Sequence, residues 1–166
     1  MKINMQKYHL RRTEKKIKKT EDIIHIINRQ EYLILALCKN NQPYLVSLNY
    51  GFDHEKMCFY FHCAGEGKKI DFFRVNTTVY GQILEELKYK EGECSYAYRS
   101  VQFEGEVTFL ENNIEKKHAL NLMIEKIENP TLIQKTKEKH VIDSAVEKVF
   151  VGKITVNEFT GKEERL

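Results

Sequence analysis

The segment SVQFEGEVTFL, residues 100–110, constrains the fold more than any other, because its apolar and polar side chains alternate along its length. The two sets fall on opposite sides of an extended chain, Val101, Phe103, Val107 and Phe109 on one and Gln102, Glu104, Glu106 and Thr108 on the other. A period of two residues is that of a β-strand with one buried face. Gly105, at the middle, predicts a bend or bulge of the kind that barrel strands need.

Five other apolar runs predict further strands, and they cover residues 32–38, 43–50, 57–63, 77–84 and 148–159. In the run 57–63 the side chains separate into two faces, Met57, Phe59, Phe61 and Cys63 against Cys58, Tyr60 and His62. The segment TGKEE, 160–164, predicts a turn after the last strand. Because most strands follow one another through short polar connections, we predict a mainly β, six-stranded antiparallel barrel with a few peripheral helices.

Helices are predicted where the apolar period lengthens. In residues 19–30, Ile23, Ile26 and Ile27 share one face and Thr20 is placed to cap the first turn. A second helix is predicted over 111–129, where Leu120, Met123, Ile124 and Ile127 have helical spacing, and a shorter one over 132–140. We expect these helices to decorate one domain that spans residues 1–166, since no linker-like segment interrupts the chain.

Composition excludes several classes of protein. A formal charge of +3 on 166 residues gives no reason to expect nucleic acid as a partner. The basic arm, residues 1–19, is expected to be solvated and flexible. No apolar run is long enough to cross a bilayer and the first residues do not resemble a signal peptide, so a cytoplasmic location is expected. The four cysteines are expected to be free thiols, and no zinc-ligand spacing is present.

The segment between His62 and Lys69 is the candidate binding loop. Gly65 and Gly67 allow the backbone to turn tightly, and a short amphipathic helix is predicted to begin at Lys68, with Ile70, Phe72 and Phe73 inward. The two lysines and His62 would suit a phosphate group. The sequence matches neither of the common glycine-rich nucleotide motifs. On spacing alone, a basic strand-to-helix turn without a ligand is therefore the favoured interpretation.

Four segments in one order give the loop a context: QPYLVSLNYGF, FYFHCAGEGKKIDFFRVN, YRSVQFEGEV and FTGKEE. Together they resemble the FMN-binding split-barrel family related to pyridoxamine 5′-phosphate oxidase, and within it the nitroimidazole-resistance branch. The resemblance spans residues 11–163. It implies a split β-barrel, a homodimer with FMN at the subunit interface, and a phosphate cradle at the glycine loop.

The resemblance also implies which residues contact FMN. The strand PYLVSLNY would run along the isoalloxazine ring, the end of FYFHCA and the two lysines would meet the phosphate, with Lys69 the stronger candidate, and the segment RSV would lie near the ring. The implied cofactor-binding residues are Ser47, Leu48, Asn49, Tyr50, His62, Cys63, Ala64, Lys68, Lys69, Arg99, Ser100 and Val101. Alternatives stay open: Tyr50 as a core residue, Arg99 paired with a surface acid, and His62 bonded to a carbonyl. The other histidines have no partner at useful spacing and are expected to be structural or exposed.

The function implied by the resemblance is that of an FMN-dependent oxidoreductase, which takes electrons from a nicotinamide or similar donor and reduces a small acceptor such as a nitroaromatic compound. Two alternatives remain: a non-catalytic flavin-storage or redox-sensing protein, and the same barrel holding haem or a deazaflavin. Oxidation of vitamin B6 is not expected, because the sequence ends TGKEERL, without the arginine-rich segment of the oxidase branch. No residue stands out as a catalytic acid or metal ligand.

Overall fold

An antiparallel sheet of seven strands organises residues 10–165, which are the residues that the computed structural model describes. The strands are β1 Tyr32–Lys39, β2 Gln42–Asn49, β3 Gly51–Asp53, β4 Cys58–Cys63, β5 Thr78–Lys90, β6 Ser95–Phe109 and β7 Phe150–Glu164. Their order in the sheet is β2-β1-β5-β6-β7-β4-β3. The predicted mainly β, antiparallel architecture is confirmed, with seven strands instead of six because the three-residue β3 is too short to show a period.

The two edges of this sheet are joined by a single residue. β2 ends at Asn49 and β3 begins at Gly51, yet the two strands stand at opposite ends of the strand order. Tyr50 alone spans the gap, so the sheet has to curl until its edges lie side by side. This is the geometry of a barrel that is split between β2 and β3.

Local sequence explains the turns and irregularities of the strands. Asn40 and Asn41 connect β1 to β2 with φ of 51° and 62°, the left-handed values that a tight two-residue hairpin requires and that asparagine tolerates. The register between β6 and β7 shifts at Glu104 and Gly105, so the predicted bulge is confirmed. A Cβ on Gly105 would lie 2.7 Å from the Thr155 carbonyl oxygen, which explains why glycine occupies this position.

The turn predicted at TGKEE is wrong. β7 continues to Glu164, and residues 160–164 pair with β6 from Gln102 back to Tyr98. Glycine and charged residues indicate a turn in isolation, but here β6 offers a complete partner strand. Gly161 serves close packing, since a Cβ there would lie 2.8 Å from the Cβ of Ile17.

The described residues contain five α-helices, α1 Thr20–Arg29, α2 Lys68–Phe73, α3 Asn113–Ile127, α4 Ile133–His140 and α5 Asp143–Val146, with a 3-10 turn at Thr13–Lys15. The prediction that Thr20 caps α1 is wrong, because Thr20 is the first helical residue and Lys19 holds the cap position without a side-chain hydrogen bond. Asn112 caps α3 by accepting hydrogen bonds from the backbone N–H groups of Ile114 and Glu115. α5 is too short to have been predicted. No helix within residues 10–165 combines the length and apolarity needed to cross a membrane.

The basic arm is partly docked on the sheet. Residues 1–9 lie outside the described part of the chain, but Ile17 is buried and its backbone N–H donates to the Gly161 carbonyl oxygen at 3.0 Å. The neighbouring lysines, Lys16, Lys18 and Lys19, keep their side chains exposed. Burial of one isoleucine therefore fixes this segment against β7.

β4 separates two apolar cores. Phe59 and Phe61 pack into the barrel, whereas Cys58 and Tyr60 pack against α3 on the opposite side of the strand. The predicted division of this strand into two faces is confirmed. All four side chains are fully buried, so β4 is a central strand in both layers although it lies next to the sheet edge.

Candidate functional site

The loop from β4 to α2 packs against the barrel at Gly65 and borders open space at Gly67. A Cβ on Gly65 would lie 3.1 Å from the ring of Phe150, so the backbone there lies close against the start of β7. Gly67 has a φ of +109°, which other residues rarely adopt, and open space lies beside it. The inward side chains of α2, Ile70, Phe72 and Phe73, are buried as predicted. Since α2 has only six residues, its dipole is small and positive charge has to come from side chains.

The charge of Lys69 influences the pKa values of His62 and Cys63 at the end of β4. Desolvation and then the Lys69 charge lower the pKa of His62, although its side chain remains exposed. Desolvation raises the pKa of the Cys63 thiol, and Lys69 opposes that rise only in part. At neutral pH, His62 is therefore an uncharged imidazole that can donate one ring N–H, and Cys63 remains a thiol. The structure brings these three sequence-predicted residues together without placing a negative charge among them.

Lys68, the first residue of α2, contacts aromatic rings. Its Nζ atom is 4.4 Å from the ring centroid of Tyr44 on β2 and 5.9 Å from that of Phe72. The rings of Tyr44 and Phe72 are 5.1 Å apart. Sequence reasoning missed Tyr44, because nothing in the run PYLVSLNY indicates that its first aromatic residue faces a lysine 24 positions later.

The predicted residues of β2 differ in accessibility. Ser47 and Asn49 are exposed, whereas Leu48 is buried in the barrel core. Tyr50 is fully buried, and its hydroxyl donates to the Ile27 carbonyl oxygen at 2.6 Å. Its side chain is thus a core element, the interpretation that the sequence left open.

The predicted residues of β6 are held within the protein. Arg99 donates from Nε to the buried carboxylate of Glu85, and Arg29 Nε lies 3.8 Å from the same group. The acid beside Arg99 is therefore an interior one, not the surface acid considered from the sequence. Ser100 is buried with its hydroxyl 3.5 Å from the Lys162 carbonyl oxygen, and Val101 belongs to the core. Ser100 and Val101 are therefore not presented to solvent, whereas the Arg99 side chain is 23% exposed.

One histidine has a partner that spacing did not reveal. His118 on α3 lies with Nε2 2.7 Å from Oδ2 of Asp53, a buried carboxylate on β3. The prediction that the other histidines have no partner is wrong for His118. The partner is 65 residues away in sequence, so only tertiary structure brings the pair together. In residues 10–165, no group of three or more His, Cys, Asp or Glu side chains is arranged to hold a metal ion.

The outer face of β1, β2 and residues 80–84 of β5 carries no charged side chain, and the first charged side chain beyond it on β5 is the exposed Glu86. Register places Ile34 beside Ser47 and Gln82, and Ala36 beside Leu45 and Tyr80. The uncharged positions on this outer face are Tyr32, Ile34, Ala36, Cys38, Pro43, Leu45, Ser47, Asn49, Tyr80, Gln82 and Leu84. In a chain with 31% charged residues, a face that meets only water would carry several charges. Depletion of charge is typical of the centre of a subunit interface.

Comparison with known proteins gives one family match and several solved structures with a similar fold. Residues 19–163 match the family described as pyridoxamine 5′-phosphate oxidase. A candidate 5-nitroimidazole antibiotic resistance protein from Bacteroides thetaiotaomicron is 27% identical, with a TM-score of 0.70 over 89% of this chain and 86% of that one. No protein among the curated sequences shows significant similarity.

Two further solved structures share the fold at lower identity. A FAD-binding protein from Mesorhizobium loti is 20% identical, with a TM-score of 0.61 over 89% of this chain and 96% of that one. A FAD and haem binding protein from Mycobacterium smegmatis is 11% identical, with a TM-score of 0.72 over 90% of this chain and 73% of that one.

Proposed function

Because the chain belongs to the pyridoxamine 5′-phosphate oxidase family, we propose that it is a flavoprotein that holds the phosphate of FMN at the loop between β4 and α2. The observation that carries the proposal is the grouping of Lys69 with neutral His62 and the Cys63 thiol beside a glycine loop. An anion placed there meets one full positive charge, one ring N–H and no carboxylate from these three residues. The exposed Glu66 is the one acid within the loop, residues 64–67.

The residues present fit a phosphate monoester better than an uncharged ligand. Gly67 lies beside open space, so a ligand can approach the backbone without meeting a Cβ. Hydrogen bonds from charged donors to phosphate are about twice as strong as those between neutral groups, which favours Lys69 as the principal anchor. The exposed Ser47 and Asn49 on β2 would supply polar contacts to the ring system. The FAD-binding relative from Mesorhizobium loti supports flavin as the ligand class.

We place the flavin at the interface of a homodimer. The uncharged outer face formed by β1, β2 and residues 80–84 of β5 contains Ser47 and Asn49, so the proposed ring contacts and the apolar surface are continuous. Tyr80 and Leu84 on this face are 49% and 47% exposed. Covering such side chains with a second copy would remove them from water and enclose the ring at the same time.

The proposed activity is the transfer of electrons from a nicotinamide donor to a small acceptor. When bound, FMN supplies the hydride and electron chemistry. The residues of this chain bind and orient the cofactor: Lys69 and His62 fix the phosphate end, and β2 lines the ring. The likeness to the nitroimidazole resistance protein supports a nitroaromatic compound as the acceptor to test first.

The test begins with the absorption spectrum of the purified protein and chromatography of the released chromophore. FMN in near-stoichiometric amount is the expected result, and NADH or NADPH oxidation in the presence of a nitroimidazole then tests catalysis. Bound FMN without turnover would leave a flavin-storage or redox-sensing role. A Soret band would indicate haem. A colourless protein that takes up no added FMN would overturn the proposal.

A further inference from the structure

We infer that Tyr44 is a positioning residue of the proposed cofactor site, and that the two lysines of the loop have different roles. The Tyr44 ring holds the Lys68 ammonium and so joins the glycine loop to β2, whereas Lys69 supplies the charge that meets the phosphate. This inference rests on the proposed function, because it concerns how the two halves of the FMN site are kept in register.

Two side chains of α2, Lys68 and Phe72, contact the ring of Tyr44. Lys68 and Phe72 are four residues apart on α2, so their side chains lie on the same face of the helix. Both reach the ring of Tyr44, Lys68 with Nζ 4.4 Å from its centroid and Phe72 with its ring centroid at 5.1 Å. Phe72 is buried and Tyr44 half-buried, so the platform is fixed and the ammonium group rests on it.

The position of β2 in the sheet explains why a contact between Tyr44 and α2 is needed. Within residues 10–165, β2 stands at one end of the strand order and pairs only with β1, so one of its edges has no strand partner in this part of the chain. Ser47 and Asn49, the proposed ring contacts, lie three and five residues beyond Tyr44 on this strand. The proposed phosphate contacts, His62 and Lys69, lie at the end of β4 and in the first turn of α2. The link from Tyr44 to Lys68 and Phe72 therefore sets the distance between the phosphate end and the ring end of the site.

The lysines also differ in what their charges act on. The Lys69 charge adds to the desolvation that lowers the pKa of His62 and opposes the desolvation that raises the pKa of Cys63, which places this charge at the end of β4. The Lys68 charge faces two aromatic rings instead. A cation held on a ring face is partly satisfied there and is less available to a phosphate group.

The experiment compares FMN dissociation constants, measured by quenching of flavin fluorescence at several salt concentrations. Lys69→Met is expected to weaken binding by about tenfold or more and to reduce the salt dependence. Tyr44→Leu and Lys68→Met are each expected to weaken binding by about threefold with the salt dependence retained. The double variant with Tyr44→Leu and Lys68→Met should have the same FMN dissociation constant as either single variant. Tyr44→Phe, which keeps the ring and removes only the hydroxyl, should bind like the wild type.

Three results would overturn the inference: equal losses of affinity and salt dependence in Lys68→Met and Lys69→Met, additive losses in the Tyr44→Leu and Lys68→Met pair, or a Tyr44→Phe variant as weak as Tyr44→Leu. These outcomes require a wild type that binds FMN and leave the proposed function intact. A wild type that takes up no FMN overturns the proposed function instead. Melting temperatures of the cofactor-free variants show whether each one is folded.

Discussion

His118 on α3 contacts Asp53 on β3 across 65 residues of sequence, with Nε2 and Oδ2 2.7 Å apart. Asp53 is buried, and its other carboxylate oxygen accepts hydrogen bonds from the backbone N–H groups of Glu55 and Lys56. One carboxylate therefore closes the β3–β4 turn and anchors the longest helix. Burial by itself would raise the pKa of Asp53, but the bonds from His118 and Lys56 outweigh it, so the pKa is lowered.

We expect Asp53 to make the fold acid-sensitive. Because its pKa is lower in the folded protein than in the unfolded chain, its stabilising contribution is complete above the unfolded value near 3.8 and is lost as the pH falls through the folded value. Urea unfolding between pH 7 and pH 3 should show a steeper loss of stability in the wild type than in Asp53→Asn. At pH 7 the variant should be less stable by about 1–3 kcal/mol. Glu111→Gln, which changes an exposed acid, should follow the wild type, and parallel curves for Asp53→Asn would contradict the assignment.

Lys126 on α3 is expected to make stability depend on pH in the alkaline range. Its Nζ donates to the Ile27 carbonyl oxygen at 2.6 Å and lies 4.0 Å from the Tyr50 ring centroid, and desolvation lowers its pKa to about 8. The folded state therefore releases this proton before the unfolded chain does, and stability should rise between pH 8 and the ordinary lysine value of 10.5. The free energies of unfolding of Lys126→Met and the wild type, compared at pH 7 and pH 9.5, isolate the contribution of the Lys126 proton. A difference in stability that does not change with pH would refute it.

Arg99 should matter for stability even without cofactor. Removing one partner of a buried ion pair leaves the other charge desolvated, and we expect Arg99→Met to lose about 3 kcal/mol because Glu85 is buried. Adding Glu85→Met should recover part of that loss, since no unpaired charge then remains. Thermal unfolding of the cofactor-free proteins checks both. A double variant that is less stable than Arg99→Met would show that Glu85 has another role.

A side chain at Gly81 is expected to destabilise the fold. A Cβ at this position in β5 would overlap the ring of Phe103, its cross-strand neighbour on β6. Gly81→Ala is expected to cost about 1–3 kcal/mol, as overpacking of a core usually does. Combining it with Phe103→Leu should lessen the additional cost of the alanine, because the smaller side chain gives way. Equal costs of Gly81→Ala in both backgrounds, measured by urea unfolding, would rule out this steric explanation.

The proposed dimer is tested by a charge on the uncharged face. Leu84→Glu should shift the protein towards monomers in light scattering coupled to size exclusion, because a carboxylate would be buried at the interface without a partner. Ile114→Glu is the matched control, since Ile114 on α3 is 78% exposed and lies away from that face. If both variants behave like the wild type, the face is not the interface.

The parts of the fold that could be predicted are those with a local physical cause. Alternation identified β6, glycine identified its bulge, and isoleucine spacing identified α1. β3 is too short for a period, and residues 160–164 form a strand only because β6 lies beside them. For the site, the glycine loop with Lys68 and Lys69 could be recognised from composition. The partners of His118, Arg99 and Lys68 are distant in sequence, and no local pattern encodes them.

The burial of β4 on both faces has a consequence for how the protein unfolds. Phe59 and Phe61 belong to the barrel core, and their neighbours Cys58 and Tyr60 belong to the core under α3. Neither core can open without exposing the strand that completes the other. The helices that pack on β4 are therefore expected to unfold together with the barrel. Calorimetry should record one cooperative transition whose van't Hoff and calorimetric enthalpies agree.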